Sequence, residues 1–154
     1  MKLIPLAMAA ASVMVAVPAL ADAKTDAEIM ALARSQWAAE IANKPMAEQM
    51  ATVADEYTEF NGDYITRLEG KELNSRLYEA LSKSGVSTSA DMQNARVQTY
   101  GDVAILTYNY VGTSRDKDGK VTANNGKSTR VYAKQGGTWK LVHAHFSSAN
   151  LPDD

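Results

Sequence analysis

Residues 136–147 of this chain read GGTWKLVHAHFS, a double-glycine turn followed by a long strand pattern. Because successive side chains of a strand point to opposite faces, the pattern places Trp139, Leu141, His143 and His145 on one face. The opposite face is also largely apolar. We therefore expect the strand to be covered twice, by the protein's own helices on one side and by a second subunit or a bound ligand on the other.

The first 21 residues are predicted to be a secretory signal peptide. Lys2 opens an apolar run that ends at Pro18, and the small residues at 19–21 fit a cleavage site. The alternative is a membrane anchor, but the run is shorter than the roughly 20 residues that a spanning helix needs. We expect cleavage after Ala21, a periplasmic or secreted protein, and no membrane association of the mature chain.

Composition restricts what residues 22–154 can do. This length suits a single domain with one core. The chain has 16 Lys and Arg against 18 Asp and Glu, without the basic surplus typical of nucleic-acid-binding proteins. It has no cysteine, which excludes disulfides, thiolate metal sites and a cysteine nucleophile. We therefore expect no nucleic-acid partner and a fold stabilised by packing.

Helical periodicity predicts three helices in the first part of the domain. A capping box at residues 25–28 starts the first helix, whose apolar stripe of Ile29, Ala33, Trp37 and Ile41 ends before Pro45. The second is expected from about Met46 to Ala54. The third begins near Lys71, carries a stripe of Leu73, Leu77 and Leu81, and is expected to end with Gly85 as its C-cap glycine.

From about residue 92 the apolar period changes to two, which predicts strands. They are expected near residues 94–100, 103–113, 127–134 and 138–147, joined by turns at 101–102, 116–120 and 135–137. A short strand ending at a turn is predicted within residues 57–64. Helices followed by a meander of strands indicate an α+β domain, with helices packed on one face of a curved antiparallel sheet.

Several ordered motifs resemble one known family, the association (hub) domain of calcium/calmodulin-dependent protein kinase II, within the nuclear transport factor 2-like fold. The resemblance covers most of residues 22–154. The motifs that carry it are Phe60, Leu68-Glu69-Gly70, Tyr78 to Ser84, Gly101 to Ala104, Asp118-Gly119-Lys120, Thr129 to Tyr132, and Gly137 to Ser147. The last two are the most specific.

The resemblance implies a cone-like fold, in which a long helix covers the curved sheet and leaves a pocket between them. It also implies assembly through the sheet into a homodimer or a larger ring. The double cover expected for residues 138–147 agrees with this assembly, and we therefore expect Trp139, Leu141, His143 and His145 to form the oligomer interface.

Arg130 matches an arginine that, in the family, points into the pocket and binds small carboxylates. A guanidinium in a partly desolvated cleft suits this task, because its planar fork matches a carboxylate and its charge is permanent. The alternative is a solvated strand face or an internal ion pair. The candidate carboxylates for such a pair are Asp55, Glu56, Glu59 and Asp63.

The chain departs from the family pattern at two pocket positions. Phe146 stands where the family's last strand carries another pocket arginine, and Tyr110 stands on the partner strand. Together with Tyr64, these residues are expected to line the ligand site around Arg130. A ligand with one anionic group and an apolar body would suit such a pocket better than a polyanion.

Two other motifs are weaker candidates. His143 and His145 share a face and could bind a metal, but the local sequence offers no third ligand. Residues 116–119 faintly resemble a calcium loop without the required glutamate, so we interpret them as a hairpin tip. We expect no metal and no cofactor.

Three functions remain open at this stage. The first is an exported, non-catalytic, homo-oligomeric domain with a small-molecule pocket. The second is an isomerase- or cyclase-type enzyme, since the fold also hosts ketosteroid isomerases and SnoaL-type cyclases. It would need a pocket carboxylate as base and a phenol as donor, and the candidates are Tyr57, Glu59, Tyr64 and Tyr110. The third is a purely structural hub.

Overall fold

The computed structural model describes residues 23–149, so the predicted signal peptide lies outside the described residues. Within residues 23–149 there are three helices and six strands: α1 (Ala23–Ile41), α2 (Met46–Gln49), β1 (Val53–Asn61), β2 (Leu68–Glu69), α3 (Lys71–Leu81), β3 (Gly85–Tyr100), β4 (Val103–Asp116), β5 (Val121–Gln135) and β6 (Thr138–Ser148). None of these helices is long and apolar enough to cross a membrane.

The six strands form one sheet in the order β2-β1-β6-β5-β4-β3. Strands β3 to β6 are the predicted antiparallel meander, and the α+β class is confirmed. The sheet is not wholly antiparallel, because β1 pairs in parallel with β6, the last of the described strands. The helix, turns and meander between these two strands supply the long connection that a parallel pair requires.

Helix α1 buries three residues of the predicted stripe, Ile29, Ala33 and Trp37, whereas the fourth, Ile41, is 38% exposed. The helix packs against β3 and β4. It therefore covers the half of the sheet that lies away from β1. The expected capping box is wrong, because the helix already includes Ala23 and Thr25 therefore lies within its first turn.

Helix α3 begins at Lys71 as predicted, but a different side of it is buried. Leu73 and Leu81 are 38% and 44% exposed, whereas Asn74 is fully buried and donates from Nδ2 to the Gly70 carbonyl over 2.9 Å. Gly85 opens β3 instead of capping the helix. The apolar stripe is not buried as predicted because α3 packs mainly against β1 and the short β2, which cover a narrow strip of its surface.

A bulge in β6 overturns the predicted faces of this strand. Val131 pairs with His143 and Tyr132 with Leu141, so Val142 is an extra residue without a partner in β5. Such a bulge shifts the alternation by one residue. Trp139 and Leu141, which are 3% and 1% exposed, consequently lie in the core.

Beyond the bulge, Ala144 is buried on the core side, and the two histidines lie on the opposite face. There the Phe60 ring contacts the rings of His143 and His145 edge-on, each at 5.9 Å between centroids. The prediction that Trp139, Leu141, His143 and His145 share one bare face is therefore wrong. Only the histidines lie on that face.

Candidate functional site

A cavity of about 300 Å³ lies between α1, α3 and the helix-covered face of the sheet. Helix α1 contributes Gln36, Trp37 and Glu40; Glu40 follows Gln36 by four residues and Trp37 by three, so it lies on the same side of the helix as both. The strands contribute mainly aromatic rings. The cavity is thus an apolar chamber with a few polar groups, the usual composition of a small-molecule site.

Arg130 is the buried cation of this cavity and is only 4% exposed. Its Nε donates to the Tyr108 hydroxyl over 2.9 Å, and its Nη1 donates to Gln36 Oε1 over 2.7 Å. The guanidinium carbon lies 5.6 Å from the ring centre of Trp37 and 5.3 Å from that of Phe146. These contacts fix the guanidinium in place without neutralising it.

The Arg130 guanidinium stays protonated in the folded protein. Burial lowers its pKa, but the neighbouring hydroxyls of Tyr108 and Tyr132 outweigh burial, so the net pKa lies above the ordinary value. No carboxylate lies within 4.0 Å of the guanidinium among residues 23–149. The internal ion pair considered from the sequence is therefore absent within this range.

Glu40 is the titratable group that the sequence reasoning missed. Burial raises the pKa of its carboxyl to about 7; Arg130 opposes this rise and Glu59 adds to it. No hydrogen bond to its carboxylate is found within the described range. Its position was readable from the sequence, because Glu40 follows Trp37 by three residues and Ala33 by seven, on the buried side of α1.

Glu59 lies behind the cavity wall and is already fully engaged. Its side chain is 0% exposed. It accepts hydrogen bonds from the Tyr57 hydroxyl at 2.6 Å, the Tyr78 hydroxyl at 2.9 and 3.0 Å, and Asn61 Nδ2 at 3.0 Å. Burial first, and Tyr78 and Glu59 second, raise the pKa of Tyr57 far above its ordinary range, so this phenol stays protonated as a donor.

The structure brings most of the predicted pocket residues together. Tyr110 and Phe146 line the same cavity as Arg130, while Tyr64 lies outside it, beside Glu59 and Leu68. Tyr64 is displaced because β1 ends at Asn61 and a turn follows. Their assignment to ligand binding stays a prediction. Leu141, expected at an interface, lines this cavity instead.

The outer face of β1 and β6 carries a smaller aromatic group. Phe60 is 46% exposed and lies against His143 and His145. The Nδ1 of His143 is 2.8 Å from the Thr58 hydroxyl, and burial, followed by His145 and Arg67, lowers the pKa of His143. Between residues 23 and 149, no group of three or more metal-ligating side chains is found.

Comparisons with known proteins agree on the fold. The chain is similar to the CaMKII hub of S. rosetta, at 24% identity over 86% of this chain and 100% of that one, with a TM-score of 0.67. It is also similar to a nuclear transport factor 2-like superfamily protein from Salmonella enterica, at 15% identity over 86% and 96%, with a TM-score of 0.72.

A putative ketosteroid isomerase from Parabacteroides distasonis has 21% identity over 81% of this chain and 88% of that one, with a TM-score of 0.65. No curated protein matches the chain. The model of one family, described as the calcium/calmodulin dependent protein kinase II association domain, matches residues 25–150. Since this match spans most of the sequence, the chain belongs to the calcium/calmodulin-dependent protein kinase II association domain family.

Proposed function

We propose that this protein is an exported, homo-oligomeric association-type domain whose cavity binds a small carboxylic acid with an apolar body. The observation that carries the proposal is Arg130, a buried and charged guanidinium that lines an aromatic cavity without an ion-pair partner inside residues 23–149. A buried charge without a counter-ion is costly, and a carboxylate ligand would supply that counter-ion.

The shape of the cavity selects the ligand. Trp37 and Phe146 flank the guanidinium, and Tyr110 meets the Trp37 ring edge-on at 5.7 Å between centroids. These rings offer flat apolar surfaces beside a single cation. A monocarboxylate with an aryl or short alkyl body therefore matches the cavity better than a dianion, which would also meet Glu40.

Substitution of Arg130 tests the anion site. We expect Arg130→Lys to weaken binding, because lysine keeps the charge but loses the planar fork, and Arg130→Ala to weaken it further. Each lost charge-assisted hydrogen bond is worth about 1.5–3 kcal/mol, or about 10- to 150-fold in affinity. Titration calorimetry with benzoate, benzoylformate and short alkyl carboxylates measures the series.

Arg96→Ala, on the exposed edge of β3, is the matched control and should leave affinity unchanged. Equal affinity of the best ligand for the parent protein and for Arg130→Ala would show that Arg130 is a structural residue only.

Self-association is supported by the family, whose model describes an association domain. Of the four residues predicted at the interface, His143 and His145 lie on the outer face of β1 and β6, where they contact the exposed ring of Phe60. Aromatic residues at the centre of an interface commonly contribute most of its binding energy.

We expect residues 22–154 to be at least dimeric at micromolar concentration. Phe60→Asp should lower the molecular mass of the assembly in solution, because an aspartate buried at the interface would lack a partner. Light scattering measures this. Val121→Asp, at an equally exposed apolar position on β5, is the control. A monomer mass for the parent protein would refute the assembly; Leu141→Asp is unsuitable because Leu141 is a core residue.

Export is the remaining part of the proposal and is supported by Lys2, the apolar run after it and the small residues at 19–21. We expect protein recovered from outside the cytoplasm to begin at Asp22. Intact-mass measurement checks this expectation, and a full-length mass confined to the cytosol would contradict it.

A further inference from the structure

One acidic side chain, Glu40, lines the cavity, and another, Glu59, lies behind its wall. Their surroundings suit them to different roles. Glu59 accepts hydrogen bonds from two phenols and an amide, so its lone pairs are engaged and it is shielded from a ligand. Glu40 lines the cavity and accepts no hydrogen bond from a residue in the described range. Only Glu40 is therefore placed to take a proton from a bound molecule.

The tyrosines divide in the same way. Tyr57 and Tyr78 donate their protons to Glu59. Tyr108 instead accepts from Arg130 Nε, at 2.9 Å, which leaves its own O–H free of any acceptor found within residues 23–149. A phenol that accepts from a cation becomes a stronger donor. Tyr108 is thus the hydroxyl best prepared to stabilise negative charge on a ligand oxygen.

We infer that the cavity catalyses proton exchange at the carbon beside the ketone of a small 2-oxo acid, with Glu40 as general base and Tyr108 as donor to the enolate oxygen. This activity rests on the proposed carboxylate site at Arg130. The ligand class follows from the contact between Arg130 and Tyr108, since a 2-oxo acid carries its carboxylate and its ketone oxygen on adjacent carbons.

The reaction needs no co-reactant. The Glu40 carboxylate takes a proton from C3, the C3–H electron pair forms the C2–C3 double bond, and the ketone electrons move onto O2, where Tyr108 donates a hydrogen bond. Return of a proton from Glu40 to C3 restores the ketone. If the Glu40 proton has exchanged with the solvent in between, hydrogen at C3 is replaced without any net oxidation or reduction.

The pKa of Glu40 suits a general base that works near neutral pH, because burial raises it to about 7. The charged or titratable groups facing it are Arg130 on β5, Glu59 on β1, Tyr78 on α3 and Tyr110 on β4, with Arg115 and Asp116 across a second cavity that Glu40 also lines. Arg130 favours the ionised form, and Glu59 and a bound anion oppose it. The exchange rate should therefore rise with pH and level off above the pKa of Glu40 in the complex.

The test follows loss of the C3 proton signal of phenylpyruvate in deuterated buffer by NMR, with intact residues 22–154. We expect the parent protein to accelerate deuteration at least about 100-fold over Glu40→Gln, the usual contribution of a positioned general base. The deuteration rate of Tyr108→Phe should be lower than that of the parent protein by about tenfold or more. Glu28→Gln, an exposed glutamate on the same helix, should retain the parent rate and its pH profile.

Benzoylformate separates binding from catalysis, because it is a 2-oxo acid without hydrogen at C3. It should bind both the parent protein and Glu40→Gln. The affinity for the variant should be equal or higher, because the variant lacks the carboxylate charge that opposes a bound anion. If it binds both and their deuteration rates are equal, the catalytic inference is overturned and the carboxylate site stands. If it does not bind the parent, the carboxylate site fails and the inference falls with it.

Discussion

Glu59→Ala is expected to lower the free energy of unfolding by about 3–5 kcal/mol, because it leaves one buried and two partly buried donors without an acceptor. The donors are the hydroxyls of Tyr57 and Tyr78 and the amide of Asn61. They come from two elements, β1 and α3, so the carboxylate also joins the third helix to the sheet.

Chemical denaturation at pH 7 measures this loss. Glu59→Gln keeps one acceptor oxygen and should lose about 2 kcal/mol, which provides a reading if the alanine variant does not fold. Glu56→Ala is the control, because Glu56 lies three residues earlier on β1, is exposed, and accepts a hydrogen bond from the exposed Gln135 side chain. A loss for Glu59→Ala no larger than that of Glu56→Ala would contradict the structural role.

Glu40→Gln is expected to have the opposite effect and to stabilise the protein at alkaline pH. The folded state raises the pKa of Glu40 from 4.5 to about 7, chiefly by burial. The contribution of Glu40 to stability is therefore fully present below about pH 4.5, decreases as pH rises above 4.5 and is lost once pH has passed about 7. Glutamine carries no charge to desolvate, so this loss should be absent in the variant.

The gap between the two proteins should approach about 3 kcal/mol at pH 8 and vanish near pH 4. Part of the Glu40 side chain reaches solvent, which makes this figure an upper value. Unfolding curves at both pH values, with Glu28→Gln as control, measure the gap. A difference that does not change with pH would show that Glu40 is hydrated in the folded protein.

Local patterns predicted most of the secondary structure. The stripe of Ile29, Ala33 and Trp37 placed α1 correctly, and the glycine turns at 101–102 and 135–137 placed the meander. Such features depend on neighbouring residues only. The pairing of β1 with β6 joins segments about 85 residues apart, and no local pattern encodes it.

The sequence predicted only part of the site, because local patterns do not show every feature that positions its residues. Arg130, Tyr110 and Phe146 share one cavity, but strict alternation placed Leu141 on the wrong face because the extra residue Val142 leaves no mark in an apolar run. Glu40 was missed because the helix was read for its apolar residues alone. A charged residue at the spacing of a buried stripe is the signal that would have found it.

The position of β6 also governs the order in which the protein can fold. Strand β6 (Thr138–Ser148), which follows the other five described strands in the sequence, lies between β1 and β5, in the interior of the sheet. While the ribosome is still making the chain, β1 has no partner except the two-residue β2. Native pairing across the sheet therefore waits until β6 has been made, and loss of this strand would separate β1 and β2 from the meander.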